Sequence, residues 1–193
     1  MSMTSVTGIL LAAGDGRRFG GQKLLHRLPG GEPVGVAAAR NLIAAVPDAI
    51  AVVRADDIEL AEALSAVGIR IIENTRAAEG MGTSLAVGVG ATADAAGWLV
   101  ALADMPWILP VTIGALSDAL CSGASLVAPS YCGRRGHPVG FAAQWRGKLE
   151  ALTGVQGARS LLAQCGDDLV LKATSDPGVL RDVDNLADLE ISS

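Results

Sequence analysis

The stretch GILLAAGDGRRFGGQKLL, residues 8–25, decides how the rest of the chain is read. It begins as an apolar run, Ile9–Ala13, with the composition of a buried strand. It then places Gly14, Gly16, Gly20 and Gly21 beside Arg17, Arg18 and Lys23. Glycines let a backbone turn tightly and approach a ligand closely, and the amides of such a loop form a nest for anions. Arg18 offers a two-pronged grip on phosphate oxygens, and Lys23 adds a point charge. The combination predicts a loop that holds nucleotide phosphates. The competing reading is a strand-to-helix turn with solvated cations. Two common phosphate loops do not fit. A Walker A loop needs Ser or Thr after the lysine, and Lys23 precedes Leu24. A dinucleotide fingerprint needs GxGxxG, and Gly14, Gly16 and Gly20 give GxGxxxG.

Composition bounds the classes available. With 193 residues, the chain predicts one domain over 1–193. Half of the residues are apolar, enough for a sizeable core. The net charge of −5 argues against a nucleic-acid partner, so cations that meet phosphate must be local. No apolar run approaches the roughly 18–20 residues needed to cross a bilayer, which predicts no membrane partner. The N-terminus MSMTSVTG lacks a signal-peptide pattern. Cys121, Cys132 and Cys165 are odd in number without CxxC spacing, so they are expected as core residues in a reducing cytoplasm.

Five strand-like runs recur: Val6–Ala13, Ala49–Arg54, Ile69–Glu73, Trp98–Ala103 and Ser125–Pro129. Each is nearly all apolar, as for strands covered on both faces. Helical patterns fall between them at Val34–Ala45, Ile58–Val67, Gly82–Ala91 and Val111–Cys121, with Asp57 placed to cap the second. The alternation predicts an α/β fold: three layers, α/β/α, around a mostly parallel sheet. Later segments predict a loop entering a strand (GRRGHPVGFAA), a helix broken at Gly154, and short strands at LVLKAT and VLRDVD.

Ligands of open parallel sheets sit beyond the carboxyl ends of the strands. Three polar clusters lie there: Gly14–Lys23, ADMP at 103–106, and DVDN at 182–185. Asp104 is placed to hold Mg²⁺, an ion that prefers oxygen ligands and phosphates; the alternative is a cap for the helix near Val111. Asp182 and Asp184 would point the same way from an extended segment, so spacing does not choose between them, and either is also a candidate cap for the last short helix. GRRGHPVGF is either an exposed turn or a basic loop over an acidic substrate, with His137 a positioning group rather than a metal ligand. Ser84 in EGMGTSL is either a helix cap or part of a ligand site.

These segments together resemble the molybdenum cofactor cytidylyltransferases, MobA-like NTP transferases within the GT-A-like nucleotidyltransferase superfamily. LAAGDGRRFGGQK is similar to the superfamily's LAAGxGxRxGxxK, and EGMGTSL, ADMP, RRGHPVGF, GARSLL and DVDNLADL follow in family order. The resemblance implies a Rossmann-like nucleotidyltransferase fold. It implies that Leu11, Ala12, Ala13, Gly14 and Gly16 meet base and phosphates, that Arg18 and Lys23 stabilise the triphosphate, and that Gly80 and Ser84 recognise base and ribose. It implies a Mg²⁺ site at Asp104 and Asp184, catalytic roles for Arg18, Lys23 and Asp104, and an acceptor site at Arg135, Gly136, His137 and Pro138. LAAG in place of LAGG points to CTP, with Ala13 the marker. The implied acceptor is molybdopterin or the molybdenum cofactor, with a molybdenum hydroxylase or its maturation factor as a protein partner. Alternatives are transfer to a sugar phosphate, GMP transfer to molybdopterin, or a non-catalytic chaperone that carries cofactor. Val155 stands where the family often has an acid, and Asn185 follows Asp184 where Thr-Pro is common.

Overall fold

The structure is a computed structural model, and it describes residues 5–14, 22–154, 157–164 and 168–190. Gly16, Arg17, Arg18, Gly20, Gly21, Val155 and Cys165 lie outside those residues.

The strands are β1 (Val6–Leu11), β2 (Ala49–Arg54), β3 (Arg70–Asn74), β4 (Gly97–Leu102), β5 (Leu126–Tyr131), β6 (Arg134–Arg135), β7 (Val139–Ala142) and β8 (Leu169–Ala173). The helices are α1 (Val34–Ala45), α2 (Ile58–Ser65), α3 (Met81–Gly90), α4 (Pro110–Cys121), α5 (Arg146–Glu150), α6 (Arg159–Gln164) and α7 (Ala187–Glu190). All eight strands join one sheet in the order β3-β2-β1-β4-β7-β5-β6, with β8 also pairing β5. The β3-β2-β1-β4 half is parallel throughout. Direction then reverses, since β7 runs antiparallel to both β4 and β5, while β8 is parallel to β5. The expected parallel sheet is therefore a mixed one, parallel where βαβ crossovers build it and antiparallel where the short 131–139 link returns the chain as a hairpin.

The period-2 pattern of the strands sorts the core into two layers. Leu10 and Ala12 of the first strand region join Ala51, Val53, Leu99 and Ala101 beneath α1, α2 and α4. Ile9 and Leu11 join Ile50, Val52, Trp98 and Val100 beneath α3, α5 and α6. Neighbouring residues thus serve opposite layers, which gives the three-layer arrangement and explains why these strands are apolar without alternation. Leu42, Leu60 and Leu64 are fully buried on one face. Each contributes roughly 1.5–3 kcal/mol of transfer free energy.

Caps punctuate the helices. Asp57 accepts from the Leu60 N–H and opens α2. For α4 the cap comes from far along the chain. Asp176, almost fully buried, accepts from the Leu109 N–H and the Thr112 hydroxyl through Oδ2, both at 2.8 Å. Asp104 is therefore not the cap of this helix.

Two expectations are corrected. VLRDVD is not a sheet strand. Pro177–Leu180 forms a single 3-10 turn, opened by the Asp176 carboxylate on the Gly178 N–H. Residues 181–184 then run as a strap with isolated bonds rather than a ladder. Val179 accepts from the His137 N–H, and the Val183 N–H donates to the Asp104 carbonyl, each at 2.9 Å. The strap is tight, because a Cβ on Gly178 would fall on the Trp107 carbonyl. Cys121 and Cys132 are not core residues either: both are exposed, one ending α4 and one at the β5–β6 hairpin tip with φ +48°. Among the described residues, no helix is long and apolar enough to cross a membrane.

Candidate active site

The parallel register sets Leu11, Val52 and Leu102 side by side, so β1, β2 and β4 end on one edge. A cavity of about 500 Å³ opens there. Leu11, Ala13, Gly14, Lys23, Gly80, Ser84 and Asp104 all line it. Ala12 does not. Its side chain packs in the core and its N–H is committed to the Val52 carbonyl.

Lys23 opens a 3-10 turn that lies against α1, with its side chain only 15% exposed. Its Nζ lies 2.8 Å from Asp104 Oδ2 and 4.0 Å from Asp184 Oδ1. One ammonium thus faces two carboxylates that lie far apart in the sequence. Asp104 is held by the end of β4. Asp184 is held by the strap, where the Asp188 carboxylate accepts from the Asp184 and Asn185 N–H groups at 2.7 and 2.8 Å. The cap of α7 is thus Asp188 with Asn185, whose Oδ1 accepts from the Ala187 N–H, and not the side chain of Asp182 or Asp184. Asp182 is close enough to feel the same charges. Partial burial, then Asp184 and Asp104, push its carboxyl up, with Lys23 opposing.

This donor set fits a divalent cation such as Mg²⁺. Two hard carboxylates converge beside the cavity, and Mg²⁺ is commonly held by one or two carboxylates plus substrate phosphates and water. Among the described residues, no cluster of three or more acidic, His or Cys side chains forms a complete protein cage. The substrate would therefore supply the remaining oxygens.

Ser84 is not a helix cap. It lies inside α3, 3% exposed, and its hydroxyl accepts from Asn74 Nδ2 at 2.9 Å. Gly80 precedes α3 with φ +118° and ψ 173°, a conformation that favours glycine. Residues 135–138 are absent from the cavity wall and adjoin it through Asp104, whose charge reaches the His137 ring. Arg135 is exposed on β6. Gly136 is buried where a Cβ would fall on the Val179 carbonyl, and the His137–Pro138 peptide is cis. Among the described residues, His137 Nδ1 is enclosed without a hydrogen-bond partner. Burial, then the neighbouring Arg135, push its pKa down to about 4, with Arg159 adding and Asp104 opposing, so the ring is neutral at pH 7.

Sequence reasoning missed the other wall of the cavity. Arg54, Asp56 and Asp57 at the end of β2, and Ala77 and Ala78 after β3, also line it. Arg54 Nε and a second guanidinium nitrogen reach Asp56 at 3.1 and 3.3 Å, and this holds the Asp56 carboxyl below the usual carboxylate range. The signal was available: the strand-end rule, applied to β2 and β3 as to β1 and β4, finds these residues.

Residues 8–169 match the MobA-like NTP transferase domain family. Nicotine blue oxidoreductase of Paenarthrobacter nicotinovorans is 33% identical over 190 residues, which is 94% of this chain and 93% of that protein. Among solved structures, Rv0371c of Mycobacterium tuberculosis H37Rv matches with a TM-score of 0.81 at 25% identity over 97% of each chain. A structure of Rv0371c in complex with manganese is also known. A nucleotidyl transferase from Methanothermobacter matches at 0.80 and 23% identity, covering 95% of this chain and 94% of that one. With residues 8–169 matched and a relative 33% identical along almost its whole length, and with Lys23 facing Asp104 and Asp184, the chain belongs to the MobA-like NTP transferase family.

Proposed function

We propose that this protein is a metal-dependent nucleotidyltransferase that moves CMP from CTP to the terminal phosphate of molybdopterin or the molybdenum cofactor, with release of pyrophosphate. The observation that carries the reading is Lys23 seated between Asp104 and Asp184 at the mouth of the cavity. The acceptor phosphate oxygen attacks the α-phosphorus of the NTP. A new P–O bond forms as the α–β P–O bond breaks, and pyrophosphate takes the bonding pair. The attacking phosphate is already anionic, so no strong base is required. The barrier is charge repulsion and alignment. Mg²⁺ held by Asp104 and Asp184 would neutralise phosphate charge. Lys23, joined by Arg18, adds positive charge at the same phosphates, and the Gly80 turn and Ser84 hold the base and ribose. Residues 135–138 carry the acceptor side, where neutral His137 supports hydrogen bonding without adding charge. The choice of CTP rests on Ala13 in LAAG, and the acceptor rests on the family resemblance.

A second reading is favoured by the relative from Paenarthrobacter nicotinovorans, whose name is that of an oxidoreductase. That reading requires the same cavity to take a redox nucleotide through a loop whose GxGxxxG spacing departs from the dinucleotide fingerprint. One experiment separates the two. Mg²⁺-dependent pyrophosphate release is measured with CTP, GTP, ATP and UTP, each with and without molybdenum cofactor, beside oxidation of reduced nicotinamide dinucleotides. Cofactor-dependent release with CTP supports the proposal. Release with another NTP or another phosphorylated acceptor revises the substrate, nucleotide oxidation without release moves the protein to the second reading, and CTP binding without either points to a cofactor carrier.

A further inference from the structure

The end of β3 and the start of α3 are tied by a hydrogen-bond network in which Asn74, Thr83 and Ser84 are all buried. Its polarity can be worked out atom by atom. The Arg76 N–H, which can only donate, points at Asn74 Oδ1 at 2.9 Å. That fixes the Asn74 amide, so Nδ2 faces the hydroxyls of Thr83 and Ser84 at 3.0 and 2.9 Å and donates to both. The Thr83 proton is used within the turn, on the Gly80 carbonyl at 2.8 Å or the Arg76 carbonyl at 3.0 Å. Ser84 differs. Its oxygen is already an acceptor, and among the described residues no acceptor of the chain meets its proton. Ser84 lines the cavity, so among the described residues that proton is left to face the cavity. A buried donor left without a partner is costly, and the site is built to receive an acceptor atom at that point.

We propose that Asn74 is a positioning residue that sets the polarity of the nucleotide pocket: it pins the Gly80 turn through Thr83 and forces Ser84 to present a donor, selecting a ligand with a carbonyl-type oxygen there. The inference rests on the nucleotide reading of the cavity. Asn74→Asp tests it, because a carboxylate of the same shape still accepts from the Arg76 N–H but also accepts from Ser84. The hydroxyl then turns inward and offers lone pairs to the cavity.

Dissociation constants for the four NTPs with Mg²⁺ are measured on wild type, Asn74→Asp, Ser84→Ala and the double variant, with melting temperatures for each. Asn74→Ala is the second probe should the carboxylate variant not fold. The expected result is at least tenfold weaker binding of the preferred NTP in each single variant. The double variant should lie within about twofold of Ser84→Ala, because Asn74 acts through that hydroxyl. In turnover, KM should rise while kcat changes little. A purely structural role would instead lower melting temperature and weaken all four NTPs equally. Penalties that multiply in the double variant, or Asn74 variants that bind within twofold of wild type, overturn the inference while the nucleotide reading stands. Failure of wild type to bind any NTP overturns both.

Discussion

Lys23 gives the sharpest test of the site, because its removal should move two observables in opposite directions. Its ammonium is 2.8 Å from Asp104 and 4.0 Å from Asp184. A dication bound by those carboxylates would sit within about 4 Å of the ammonium. Two unit charges at that distance repel by about 1 kcal/mol even in bulk water, so a dication and an ammonium repel by about 2 kcal/mol, a factor of roughly 30. Some of this is recovered when the flexible lysine swings away. Lys23→Met keeps the side-chain length and removes the charge. Without nucleotide, at pH 7.5, it should bind Mn²⁺ about ten- to thirtyfold more tightly than wild type. With nucleotide, the loss of one preorganised cation at the triphosphate should lower turnover on the order of 10²-fold. Titration calorimetry reads the first quantity and pyrophosphate release the second. Weaker or unchanged metal binding would refute the placement of the cation between Asp104 and Asp184. Turnover close to wild type would refute the role of Lys23 in neutralising phosphate.

The remaining predictions address the scaffold around that centre. Asp184→Asn should weaken metal binding and turnover at least tenfold while Asp182→Asn costs under threefold, because Asp184 is the carboxylate within 4.0 Å of Lys23; equal effects would contradict the assignment. Asp176→Ala should lower stability by at least about 3 kcal/mol in urea unfolding, since a buried carboxylate with three hydrogen bonds at 2.8–2.9 Å is lost, each worth roughly 1.5–3 kcal/mol to a charged group. His137 should make the fold acid-sensitive. The unfolded ring protonates below about 6.5 and the folded ring below about 4, so the unfolded state binds more protons in that window and stability falls as pH drops through it. The full gap corresponds to about 3 kcal/mol. His137→Asn should flatten the slope of stability between pH 6.5 and 4, and an unchanged slope would refute the cause; the raised pKa of Asp182 acts with the opposite sign and stays in both proteins.

The parts legible in the sequence were those with a local cause. The apolar runs of β1, β2 and β4 and the Asp57 cap each follow from residues within a few positions, and the structure places them within about two residues of expectation. Lys23 and Asp104 stand out by the rule that sites lie beyond strand ends, which needs only the strands; that rule left Asp182 and Asp184 open, and the family resemblance singled out Asp184. What escaped depends on distant contacts. Asp176 reads as a loop residue until α4 is seen to need a cap 67 positions away. The strap at 177–184 has a strand's composition, yet its carbonyls and amides serve His137 and Asp104 singly, with no neighbouring strand to form a ladder. Cys121 and Cys132 looked like core residues by type alone, whereas a helix end and a hairpin tip place them outside.

The reversal of the sheet after β4 bears on how one fold can serve different chemistries. The parallel half supplies Ala13, Gly14, the Gly80 turn and Asp104. The mixed half supplies the β5–β6 hairpin and His137 after it, and beside it runs the strap that carries Asp184. In the reading proposed here, the first half holds the donor nucleotide and the second faces the acceptor. The halves share both core layers and the β4–β7 pairing, and at the site they meet through Lys23 to Asp184 and Asp104 to Val183. Among the described residues the cavity lining runs from Leu11 to Asp104, so substitutions at the exposed hairpin tip should reshape what is presented to the nucleotide more than they alter the cavity. It follows that exchanging residues 132–138 for those of a relative should change acceptor preference more than NTP affinity. A matched loss of NTP binding in such a chimera would show that the halves are coupled more tightly than their contacts imply.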